Sequence, residues 1–150
     1  LPAPPSTSSS GCSEFRNSYL ADAFPEAGLA PETDDPARGT YYRWLFFTAG
    51  CVEAAVMDKA FDRELPEKKG SVGYGSYEDT IDALETALEP GPWILGSAFS
   101  AADVYVGSQV SWGLKFGTID QRDTFSEYVT RCTARPAYQR AEEHAESLLG

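Results

Sequence analysis

Ser100 and Asp103 stand three residues apart at the head of an apolar run, a spacing that closes a capping box. The serine hydroxyl can accept the Asp103 N–H, and the Asp103 carboxylate can accept the Ser100 N–H. Phe99 before the box and Val104 after it are placed to pack across it as a hydrophobic staple. The chemistry of this pair is structural, so Asp103 is expected to cap and not to catalyse. Ser76 and Asp79 repeat the box upstream. Behind the Ser100 box, Tyr105, Gln109 and Trp112 follow at i, i+4 and i+7, on one helical face. A polar tip between two rings suits a ligand pocket better than a dry core.

Other reactive groups are sparse. Cys12, Cys51 and Cys132 are an odd number with no C-x-x-C spacing, against both a disulfide framework and a zinc site. Cys12 reads as incidental, and Cys51 and Cys132 as core residues in apolar settings. His144 is the only histidine and lies in a polar C-terminal stretch. No metal site and no Ser-His-Asp triad are therefore expected. Glu53 falls on an apolar stretch, where a buried carboxylate needs a partner such as Arg43 or Lys59. Val72-Gly73-Tyr74-Gly75-Ser76 lacks the lysine of a phosphate loop and reads as a turn.

The elements that must position these residues are helices. Helical spacing starts near Tyr19 and ends at Pro25, with Ser13 available as a cap. Residues 25–36 form an acidic Pro/Gly linker. Asp35 then caps a helix with Pro36 at its first position, running to about Asp62. Tyr41, Tyr42, Trp44, Phe46 and Phe47 make that helix apolar on several faces, so it packs on more than one side. Residues 63–75 are a loop. Tyr77, Ile81, Leu84 and Leu88 mark an amphipathic third helix, stopped by Pro90-Gly91-Pro92. Trp93 to Gly96 is an apolar tuck into the Ser100 helix. Phe125, Tyr128, Val129 and Cys132 mark a fifth helix over about 122–133, and Pro136 opens a sixth. No segment alternates with period two, so the fold class is all-α.

The chain carries a net charge of −11 over 150 residues. Its acidic charges are dispersed, which leaves no electrostatic footprint for nucleic acid. No apolar run reaches the length of a membrane span. No secretory signal pattern is visible, and a soluble, cytoplasmic protein is expected.

Three stretches resemble the glutathione S-transferase family in its bacterial form. Tyr19 to Pro31 is similar to the end of the family's thioredoxin-like domain and its linker. Leu95-Gly96 with Phe99-Ser100-Ala101-Ala102-Asp103 is similar to the capping box of its central helix. Arg135-Pro136-Ala137-Tyr138 matches a family habit near the C-terminus. The resemblance implies a C-terminal-like helical bundle over 35–150, preceded at 19–34 by a remnant last helix of a thioredoxin-like domain plus linker. Residues 1–18 read as an atypical disordered leader in place of the rest of that domain.

By the same resemblance glutathione is a co-substrate and no further cofactor is needed. Ser13 sits where a serine at a helix start holds the γ-glutamyl carboxylate of glutathione. Tyr42, Phe46, Tyr105, Gln109 and Trp112 would wall the pocket for a hydrophobic electrophile. The thiol-activating group belongs to the thioredoxin-like domain, so the chain is expected to be inactive alone and to form a homodimer or self-associate. The alternative is a non-catalytic protein-protein assembly module of the same fold.

Overall fold

The computed structural model describes residues 13–64 and 66–149. The segment up to Cys12, with the thiol of that residue, lies outside the described residues, as do the side chains of Ser13 and Glu14. Among the described residues the regular elements are all helical: α1 (Ser13–Ala23), α2 (Ala37–Phe47), α3 (Glu53–Ala60), α4 (Tyr77–Leu88), α5 (Ala101–Phe116), α6 (Asp123–Thr133) and α7 (Pro136–Leu149). The helix α1 starts inside the stretch read as a leader, at the residue the sequence offers as its cap.

The expected long second helix is α2 and α3 joined without a break. Between them Thr48–Val52 makes one π turn, in which the Glu53 N–H reaches the Thr48 carbonyl. A π turn inserts an extra residue and rotates everything after it. The start of the helix follows the sequence: the Asp35 carboxylate accepts the Ala37 N–H at 2.8 Å.

The core is built around α5. Both α1 and α2 pack on it from one side, and α6 from another, while α4 packs on α6 and α3. Tyr41, Leu45, Val52, Ile81, Leu84, Tyr105, Val106, Val110, Phe125 and Tyr128 are fully buried in it. Small residues let α5 approach its neighbours. A Cβ on Gly107 would meet the Cys132 sulfur at 2.9 Å, and one on Gly113 would lie 2.4 Å from Ile119. That second contact arises because the chain turns back at Gly117 (φ +70°), with the Thr118 and Ile119 N–H groups on the Gly113 carbonyl.

Both serines cap their helices. Ser76 Oγ accepts the Asp79 N–H at 3.1 Å. At the head of α5 the Ser100 box is complete, and the Asp103 carboxylate does more than cap. It accepts the Ser100 N–H at 2.8 Å and the Ser100 hydroxyl at 3.0 Å. It also accepts the Ile94 N–H at 2.7 Å and the Tyr128 hydroxyl at 2.9 Å. The predicted tuck is a tight turn closed by mutual bonds between Trp93 and Gly96, and Asp103 holds it through Ile94. Asp103 is fully buried. Burial pushes its carboxyl above the usual carboxylate range, against the pull of its four donors. The staple is looser than the box. Phe99 sets its ring against Trp93, and Val104 stays largely exposed.

Asp103→Ala leaves the Ile94 N–H and the Tyr128 hydroxyl buried without acceptors. Each orphaned donor costs about 1–3 kcal/mol, and the expected total is about 3–5 kcal/mol in urea denaturation. Tyr128→Phe removes only one donor and should cost about 1 kcal/mol. A loss below about 1 kcal/mol for Asp103→Ala would contradict this account of the helix start.

Candidate functional site

The residues expected to wall a pocket fall into three places. Trp112, 60% exposed, stands on α5 at the wall of a cavity of about 480 Å³. The cavity lies between α5, the end of α6 and α7. Leu29, Phe99, Val104, Trp112, Ala137 and Tyr138 make its apolar lining, and Ser111, Cys132, Arg135 and Glu142 its polar one. Tyr42 and Phe46 instead line a groove of about 320 Å³ between α1 and α2, with Phe15, Ser18, Leu45 and Ala49. Their rings stack 6.0 Å apart. Tyr105 is in the core, and Gln109 is half-buried behind Trp112 on α5.

Tyr105 and Trp112 share a helical face, yet Tyr105 is buried, while Trp112 and Phe116, their rings stacked at 5.2 Å, are exposed near the end of α5.

Glu53 is a correction. The carboxylate is exposed, and neither Arg43 nor Lys59 pairs with it. It accepts the Tyr105 hydroxyl at 3.4 Å, while Lys59 bonds Asp120 at 2.8 Å and Arg43 lies over the Trp44 ring. The apolar line on which it was read is not buried: Phe46 is itself 67% exposed.

Two arginines matter that residue spacing did not single out. Arg38 is buried and ties three segments: it pairs with Asp22 on α1, donates to the Pro31 carbonyl of the linker and donates to the Tyr42 hydroxyl at 2.8 Å. The i, i+4 spacing of Arg38 and Tyr42 was the available signal. Arg135, just before α7, stacks its guanidinium 3.4 Å from the Phe99 ring centroid at the cavity wall. The linker is also tied to the cavity, since the Ala101 N–H bonds the Leu29 carbonyl at 2.7 Å.

A family model for the glutathione S-transferase C-terminal domain matches residues 54–112. The glutathione S-transferase GstA of Escherichia coli O157:H7 is 23% identical over 124 residues, covering 82% of this chain and 61% of that protein. The crystal structure of a glutathione transferase from Methylococcus capsulatus str. Bath superposes with a TM-score of 0.70 at 31% identity, over 90% of this chain and 66% of that one. The chain belongs to the glutathione S-transferase family. Its described helices are the C-terminal domain of that fold, as the capping box and helix order predicted. A sphingomonad glutathione S-transferase complexed with glutathione is similar too, with a TM-score of 0.68 at 25% identity over 87% of this chain and 65% of that one. The chain thus spans about three-fifths to two-thirds of the length of these relatives.

Among the described residues no cluster of metal-binding side chains occurs, and no helix is long and apolar enough to cross a membrane. The thiol that lines the cavity is passive: burial, with the Asp103 charge nearby, pushes Cys132 up to about 11. At pH 8 such a thiol is almost wholly protonated. Iodoacetamide at pH 8 should therefore modify Cys132 at least about a hundredfold more slowly than free cysteine, read by peptide mass mapping. Labelling at the free-cysteine rate would show the thiol to be activated.

Proposed function

We propose that this chain supplies the hydrophobic co-substrate wall of a glutathione transferase, which joins the glutathione sulfur to an electrophilic carbon. The observation that carries this reading is the mostly apolar cavity beside Trp112, whose size is ordinary for a small-molecule site. In such a reaction the thiolate attacks the carbon and the leaving group departs with the bonding pair. The wall contributes by holding the electrophile in place, which replaces a bimolecular encounter. Trp112 contacts the electrophile directly. Tyr42 and Phe46 extend the apolar surface along α2, and Tyr105 and Gln109 hold α5 behind it.

Glutathione would be held from the other side. Ser13 opens α1, and a helix N-terminus attracts a carboxylate because its free N–H groups and dipole point outward. The outward faces of α1 and α5 suit a thioredoxin-like domain. Phe15, Tyr19, Phe46, Trp112 and Phe116 are all well exposed, more ring surface than water favours. The same rings favour homodimer formation or self-association, and they are what a purely assembling module of this fold would use.

The test combines binding and turnover. 1,3-Dinitrobenzene should quench the tryptophan fluorescence of the 150-residue chain, and Trp112→Ala should weaken its binding about tenfold or more. Conjugation of 1-chloro-2,4-dinitrobenzene by this chain should stay at the spontaneous rate until a thioredoxin-like domain is supplied. Turnover by the monomeric chain alone, or binding indifferent to Trp112, would contradict the reading.

A further inference from the structure

The cavity between α5 and α7 has one cation on its wall, and that cation is held by rings. The Arg135 guanidinium lies 3.4 Å from the Phe99 centroid and 5.7 Å from that of Trp93. Trp93 and Phe99 are themselves locked edge to face at 4.8 Å. Stacking engages the flat face of a guanidinium and leaves its N–H edge available for a planar acceptor. Among the described residues no carboxylate pairs with Arg135. Asp103, which also lines the cavity, has its oxygens committed to Ile94, Ser100 and Tyr128. Ser108 and Thr133 turn their hydroxyls onto backbone carbonyls of their own helices. Ser111, Cys132 and the exposed Glu142 complete the polar lining, and the remaining lining, Trp112 and Tyr138 included, is mostly apolar and aromatic.

We propose that this cavity takes a flat aromatic ligand carrying a carboxylate or a comparable anionic group, and that Arg135 is the residue that selects it. The inference rests on reading the cavity as the co-substrate pocket and adds the chemistry that pocket prefers. The rings of the ligand lie against Trp112 and Val104, and its anionic end meets the guanidinium edge. A chain of net charge −11 repels anions at large, so a preference for an anion needs a local cation of this kind. Phe99 and Trp93 pre-set the guanidinium, which lowers the ordering cost of binding.

The test compares two probes of one shape, 2-naphthoate and 2-naphthamide, by equilibrium dialysis against the 150-residue chain at pH 7. A charge-assisted hydrogen bond should make naphthoate at least about tenfold tighter than naphthamide. Arg135→Gln should bring the two within about twofold by weakening naphthoate alone. Arg135→Lys keeps the charge without the planar fork, so it should keep part of the preference, and it decides the matter if Arg135→Gln does not fold. Equal binding of the probes by the unmodified chain, or a preference that survives both substitutions undiminished, overturns the role of Arg135 while the pocket stands. Failure of both probes to bind overturns the pocket along with it.

Discussion

One buried carboxylate sets the geometry on which the rest depends. Asp103 receives donors from its own helix start, from the 93–96 turn and from the middle of α6. Buried donors without acceptors are costly, so these three segments must arrive together or not at all. The consequence reaches the cavity. The turn presents Trp93, the residue before the box presents Phe99, and the two rings seat Arg135. The end of α6, positioned through Tyr128, brings Cys132 against Gly107. The wall of the cavity is thus an outgrowth of the helix start.

What the sequence disclosed follows from range. The boxes at Ser76 and Ser100, the stripe of α4 and the stop at Pro90 depend on residues within four positions of each other, and all were legible. The second half of Asp103's role was not, because Ile94 and Tyr128 lie nine and twenty-five positions away. Nothing in Thr48-Ala49-Gly50-Cys51-Val52 announces a π turn. Glu53 read as buried because its neighbours in the helix are apolar, yet Phe46 on the same stretch is exposed as well. Tyr105, Gln109 and Trp112 were chosen by helical face, and Tyr42 and Phe46 by resemblance; spacing alone does not carry that Tyr105 is buried and Trp112 exposed. Arg38 escaped notice, and Arg135 was read only as part of a family motif, because an arginine in a helix or at its edge ordinarily reads as surface.

The described helices differ between their inner and outer faces. The inner faces are packed to van der Waals contact, with glycines at 107 and 113 where α5 meets Cys132 and Ile119. The outer faces on α1 and α5 carry rings that water does not favour. Arg38 joins the two regimes, since it fixes α1 and the linker to α2 through Asp22, Pro31 and Tyr42. The orientation of α1, and with it the outward apolar surface, is therefore set by a polar clamp rather than by burial alone.

The account is tested most directly by native-state hydrogen exchange at the Ile94 and Ser100 amides. If Asp103 makes the turn, the helix start and α6 one cooperative unit, both amides should exchange only through global unfolding. Their opening free energies would then equal each other and that of the Val106 and Val110 amides in the core of α5. Exchange at Ile94 or Ser100 through a local opening several kcal/mol easier than unfolding would contradict it. The carboxylate would then be only a helix cap, and the cavity wall would owe its geometry to something else.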